Sequence, residues 1–192
     1  MTSPYEFAVG LLLGFTLTAP PGPMNALIAS QAVRSLRRGI VTGLGAMSAD
    51  AILAAVVFAL SAFVDLTKFV RTIYVLGCLV MGYFGYRLLV PHPTAAPPPV
   101  SAVRTYTTAL LIGLSNPFQI LWWLTAGLAF AYVGGALLFA GLFGAIAVWI
   151  VAFPYTFSLG AQRSPSLERW VTYGSGAIMV GFAAYFAFLA IV

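Results

Sequence analysis

One carboxyl stands apart from every other ionisable group in this chain. Asp50 is the single charge between Gly39 and Val64, and at ~1.5 Å per helical residue it lies ~17 Å along from Gly39. Glu6, Asp65 and Glu168 all sit near the ends of apolar runs. A charge at the centre of a bilayer costs about 2.5–3.5 kcal/mol on insertion scales, so it is expected to turn inward and to serve a purpose there. A carboxyl at that depth suits a group that alternately holds a proton and a cationic part of a substrate. The plainer alternative is a structural carboxyl, hydrogen-bonded to a neighbour.

Two other short segments carry chemistry through their backbone. Thr18-Ala19-Pro20-Pro21-Gly22-Pro23 places three prolines within four residues of an apolar run. Each removes a donor and clashes with the preceding turn, at ~3 kcal/mol or more in an intact helix. Asn116-Pro117 interrupts a second run. Asn is a favoured N-cap and Pro fits the first helical position, so a new helix is predicted to begin there. Glu6 to Pro20 is ~21 Å of helix and Arg104 to Asn116 ~18 Å, which sets both breaks near mid-membrane. Open backbone is tolerated at that depth only inside protein or along a watery cavity. The N-terminus of each new half-helix offers free N–H groups and partial positive charge, a seat for an anion such as a carboxylate. Packing kinks would explain either break alone; the pair at matching depth predicts a binding site. Substrate contacts are therefore expected from Pro21, Gly22, Pro23, Asn25, Asn116 and Pro117, proton coupling from Asp50, and cavity walls from Ser48, Trp122 and Trp149.

The elements that must hold these residues follow from composition. Of 192 residues 61% are apolar and 7% charged, with mean hydropathy +1.00. A soluble domain carries about 25% charged residues, so a soluble enzyme or binding module is excluded. Cys78 is the sole cysteine, which excludes a disulfide scaffold. The net charge of +5 does not point to nucleic acid, because the basic residues flank apolar runs. A spanning helix needs about 20 apolar residues. Candidate runs are Phe7–Val33, Gly39–Val64, Phe69–Val90, the uncharged stretch Thr105–Gln162 divided at Gly134-Gly135, and Val171–Val192. The predicted fold is all-α and polytopic, with six transmembrane helices. Phe7–Val33 has neither a positive n-region nor a cleavage site, so it is read as a span and not as a signal peptide. Residues 91–103 hold five of the twelve prolines and read as a stiff cytoplasmic linker, with His92 a loop histidine, between units 1–90 and 104–192. Arg34, Arg37, Arg38, Arg87, Arg104, Arg163 and Arg169 fall after helices 1, 3 and 5, against Lys68 and Arg71 after helix 2. That bias puts those three loops in the cytoplasm of a prokaryotic cell (the plasma or inner membrane) and both termini outside. Pro154-Tyr155 is expected to kink helix 5.

A gap-free shift of 99 residues aligns the two units. It lays Gly14 on Gly113, Gly45 on Gly144, Tyr74 on Tyr173, Gly77 on Gly176, Gly82 on Gly181 and Tyr86 on Tyr185. Three spans per unit is an odd number, so the repeats must be inverted, an architecture whose ligand sites lie at broken helices near mid-membrane. Asp50 maps onto Trp149, so the second unit supplies no matching acid. The small residues Gly10 and Gly14, Gly43 to Ala49, and Gly77 to Gly85 permit close helix approach. Packing within the bundle is the simpler reading of those faces, a homodimer contact the other.

Pro21-Gly22-Pro23 in the first span, an Arg-rich first loop, the G-x-G-x-x-x-x-D stretch Gly43–Asp50, a proline-rich linker and Asn116-Pro117 together resemble the lysine-exporter (LysE/RhtB-type) family. The resemblance implies proton-driven efflux of amino acids or similar small metabolites, with Pro21, Gly22, Pro23, Asp50, Asn116 and Pro117 as the functional set and no cofactor. This chain has Phe118 where the family often shows Lys, and Val148-Trp149 where it often shows an acid. A single intramembrane acid fits a neutral amino acid better than a dibasic one.

Other classes fare worse. An intramembrane redox enzyme needs paired cysteines at the breaks, and a protease needs a histidine or an acid cluster within the bundle. A metal-ion exporter of the same superfamily is the main alternative, although one Asp with Asn and backbone carbonyls is a poor site for soft metals. A scaffold protein would leave the buried acid beside two helix breaks unexplained.

Overall fold

The computed structural model describes residues 4–20, 22–61, 70–90, 101–127 and 135–191. Pro21, His92, Gly134 and most of the proline-rich linker lie outside the described residues. Among the described residues there is no strand. Helices α1 (Pro4–Thr18), α2 (Pro23–Ala32), α3 (Leu36–Ser61) and α4 (Val70–Leu89) form the first unit. The second comprises α5 (Ala102–Leu114), α6 (Pro117–Trp122) with a π-helical turn at Trp123–Gly127, α7 (Ala136–Arg163) and α8 (Pro165–Ile191). Helix α5 begins two residues earlier than Arg104, because the Ser101 hydroxyl accepts from the Arg104 amide at 3.2 Å and caps it.

Both interruptions fall where the imino acids require them. Helix α1 stops at Thr18, ahead of the proline cluster, and α2 sets off from Pro23 at 81° to it. Helix α5 stops at Leu114, and α6 starts at Pro117 with Asn116 as its cap. Helices α3, α4, α7 and α8 are each long and apolar enough to cross a membrane, and the bent α1–α2 pair would make a fifth span. Helix α7 runs without a break through the buried Pro154, the position at which the sequence predicts a kink. Leu12, Leu79, Leu111, Val148 and Phe188 stand exposed on the outside of the bundle. So large an apolar surface is suited to lipid and not to water.

Packing is governed by small residues. Helix α1 lies along α7, α3 along α5, and α4 along α8. A Cβ at Gly10 would strike the Leu138 carbonyl, and one at Gly14 the Leu142 carbonyl, so α1 and α7 touch backbone to backbone. Gly45 faces the Tyr106 carbonyl on α5, while Gly85 lies against Val180 and the Gly176 carbonyl on α8. These glycine faces are therefore used within the chain. Two apolar clusters result. One joins Met24, Ile28, Ala46, Met81, Met179 and Phe186; the other joins Leu53, Val57, Trp123, Leu142, Ile146 and Ile150.

Candidate functional site

Between the two helix breaks lies a cavity of about 280 Å³. The end of α1 contributes Thr16, Leu17, Thr18 and Pro20, and the start of α2 contributes Gly22, Pro23, Met24 and Asn25. Asn116, Phe118, Gln119 and Trp122 come from the second break, Ala46 and Asp50 from α3, and Ile146, Trp149 and Ile150 from α7.

Asp50 is 3% exposed and faces this space. Its Oδ1 accepts two hydrogen bonds, from Gln119 Nε2 and from Trp123 Nε1, both at 3.0 Å. Among the described residues no protein group donates to Oδ2. Among the described residues the carboxyl is thus held by one oxygen. Gln119 is itself steadied, because its Oε1 accepts from Asn116 Nδ2 at 3.1 Å. The Asn116 cap, Gln119 and Asp50 form one chain of hydrogen bonds running from the second helix break to α3. Trp123 is fully buried, edge-on to Phe58 and stacked with Phe143.

The first break has its own network. Asn25 Nδ2 donates to the carbonyl of Thr18, left open at the end of α1, and to that of Pro20 in the break itself. Asn25 Oδ1 accepts from Trp149 Nε1 at 3.1 Å, tying α7 to the break. Trp149 is stacked on Phe153, with ring centroids 5.1 Å apart.

The two half-helix N-termini differ in chemistry. Gly22, extended at φ −163°, caps α2 without any side-chain hydrogen bond, and Gly22, Pro23, Met24 and Asn25 line the cavity. The α6 N-terminus is capped by Asn116 Oδ1, which accepts from the Phe118 amide at 3.2 Å. Of the two seats expected for a carboxylate, the α2 terminus is the one without a side-chain cap among the described residues.

Gly22, Pro23, Asn25, Asp50, Asn116, Trp122 and Trp149 all border the cavity. Pro117 is fully buried at the first position of α6, next to Gly77, behind the wall that its neighbours form. Ser48 does not line the cavity: two residues from Asp50 it points about 200° away around α3. Its Oγ meets Tyr106 Oη at 2.8 Å and donates to the Leu44 carbonyl. Sequence reasoning misses Gln119 and the Trp123 indole, since their roles arise only when α6 meets α3. The available signal is a polar Gln three residues after an Asn-Pro start in an uncharged run. Among the described residues no group of three or more His, Cys, Asp or Glu is placed to hold a metal ion.

Comparison with known proteins agrees with this architecture. A family profile described as LysE type translocator matches residues 15–189. A Bacillus subtilis (strain 168) protein named "Putative amino acid efflux protein YcgF" is 31% identical over 198 residues, covering 93% of each chain. No solved structure matches. The profile takes in both helix breaks and Asp50, and the relative aligns along nearly the whole length, so the chain belongs to the LysE type translocator family, membrane transporters and not enzymes.

Proposed function

We propose that this protein exports a neutral amino acid by proton antiport, using the cavity between the two helix breaks as its central site. The observation that carries the reading is the setting of Asp50. Two donors hold one oxygen, and the other is left for either a proton or an α-ammonium group. The α2 N-terminus, open and positively polarised, takes the α-carboxylate. Among the described residues that line the cavity Asp50 is the one acid and there is no Lys, Arg or His, so neither a second positive nor a second negative charge on the substrate would have a partner there. The name of the Bacillus subtilis relative also favours amino acid efflux.

The six-span inverted repeat belongs to the same proposal, with α1–α2 as the first span and α5–α6 as the fourth. Helix pairing supports it. The 99-residue shift carries α1 onto α5, α3 onto α7 and α4 onto α8. It therefore converts the α1–α7 pair into α5–α3 and returns α4–α8 to itself, which are the three principal pairings. Rocking of one repeat against the other would open the site to each side in turn. In this proposal the loops after spans 1, 3 and 5 face the cytoplasm of a bacterial inner membrane and both termini lie outside, a reading that the distribution of arginines supports.

The test is counterflow and gradient-driven transport in proteoliposomes with a panel of amino acids. With the membrane potential clamped at zero, neutral amino acids should move against their own gradient when a pH gradient is imposed and stop when it is collapsed. Accumulation that ignores the pH gradient would refute antiport.

A further inference from the structure

We infer that the substrate's side chain is apolar, because most of the cavity wall is hydrocarbon and aromatic ring and each polar amide and hydroxyl side chain there already has a partner in the protein. This rests on the amino-acid reading above and goes beyond it by assigning the side-chain class. Among the described residues, the polar amide and hydroxyl side chains at the cavity all have partners in the protein. Asn25 is engaged at nitrogen by the Thr18 and Pro20 carbonyls and at oxygen by Trp149. Asn116 is engaged at oxygen by the Phe118 amide and at nitrogen by Gln119. Gln119 is engaged at oxygen by Asn116 and at nitrogen by Asp50. The Thr16 and Thr18 hydroxyls donate back to Leu13 and Gly14 carbonyls of their own helix.

Besides a second N–H on Gln119 and on Asn116, what has no partner among the described residues is one oxygen of Asp50 and the Met24 and Asn25 amides of α2. These match the two charged groups that all amino acids share. The rest of the wall is hydrocarbon and aromatic ring: Ile28, Ala46, Ile146, Ile150, Phe118 and Trp122. Ala46 lies one helical turn before Asp50, so its Cβ falls about 5–6 Å from that of the carboxyl, on the same face. A substrate whose ammonium rests on Asp50 extends its side chain beside Ala46 and, across from it, the α7 isoleucines. The volume of about 280 Å³ falls just below the usual range for drug-sized ligands, which suits one amino acid and not a peptide.

Isosteric pairs isolate the effect. Valine and threonine differ by one hydroxyl at the same shape, as leucine and asparagine differ by an amide. A buried polar group without a partner costs enough to lower affinity on the order of ten- to a hundredfold. Binding of each amino acid to the purified full-length protein can be read from tryptophan fluorescence, since Trp122 and Trp149 border the cavity. Transport is read by competition against labelled leucine counterflow in proteoliposomes. Valine and leucine are expected to bind and compete at least tenfold better than threonine and asparagine. Ala46→Leu, which fills the wall, should shift preference toward alanine over leucine. Equal potency of valine and threonine would overturn the side-chain assignment while leaving amino-acid export standing. Failure of all amino acids to bind or compete would instead overturn the reading on which it rests.

Discussion

Replacing Asp50 with asparagine separates the work of the charge from the work of the shape. The asparagine amide would keep an oxygen where Oδ1 now accepts from Gln119 and Trp123 at 3.0 Å, so neither donor is orphaned. Hydrogen bonds to a charged acceptor contribute about 1.5–3 kcal/mol and neutral ones about 0.5–1.5, so the exchange weakens two bonds by roughly 2–3 kcal/mol together. Removal of a buried charge offsets part of that loss, and the variant is expected to fold. Asp50→Ala differs: it strands the Gln119 amide and the Trp123 indole, at about 1–3 kcal/mol each, and adds a void. Function should respond the other way round. Losing one partner of a buried ion pair costs about 3–5 kcal/mol, or roughly two to three and a half decades in affinity. Asp50→Asn should thus melt close to the parent in detergent while pH-gradient-driven efflux from proteoliposomes falls at least a hundredfold. Undiminished gradient-driven efflux by folded Asp50→Asn would remove Asp50 from both substrate binding and coupling, and the proposed mechanism with it.

Other outcomes follow from the same structure. Trp149→Phe keeps the stack on Phe153 but deletes the bond to Asn25 Oδ1, so melting should show a loss of about 0.5–1.5 kcal/mol, with weaker counterflow. Asn116→Ala removes the α6 cap, worth about 1 kcal/mol, and frees Gln119 from its support; leucine counterflow should fall more than thermal stability does. Gly10→Ala sets a methyl into the Leu138 carbonyl, and the folded yield should collapse. Gly174→Ala meets nothing within 4 Å and should raise stability by up to about 1 kcal/mol. If both glycine variants behave alike in detergent melting, the backbone contact between α1 and α7 is not what holds them together.

Sequence patterns show the interruptions and the acid because each depends on local chemistry. Proline cannot donate, whatever surrounds it, so the ends of α1 at Thr18 and of α5 at Leu114 are legible from Pro20 to Pro23 and from Asn116-Pro117. Asp50 is legible because a charge in a long apolar run has few explanations. The partners of that charge are not. Gln119 and Trp123 lie 69 and 73 positions away, and only the docking of α6 and the π-helical turn after it on α3 joins them. The Asn25–Trp149 bond spans 124 positions and is hidden for the same reason. Ser48 misleads because closeness to Asp50 in sequence is not closeness in space, across a helix that turns about 100° per residue.

The lopsided anchoring of the Asp50 carboxyl bears on energetics at the level of the whole cell. Under the proposed antiport, a carboxyl that holds a proton and a substrate ammonium by turns exchanges them one for one. A zwitterion departing as a proton arrives shifts net positive charge inward on each cycle. Voltage therefore joins acidity as a driving force, contributing about 2.3 kcal/mol per 100 mV for each charge moved. Such an exporter would keep working in neutral surroundings where the pH difference has vanished, for as long as the cell interior stays electrically negative.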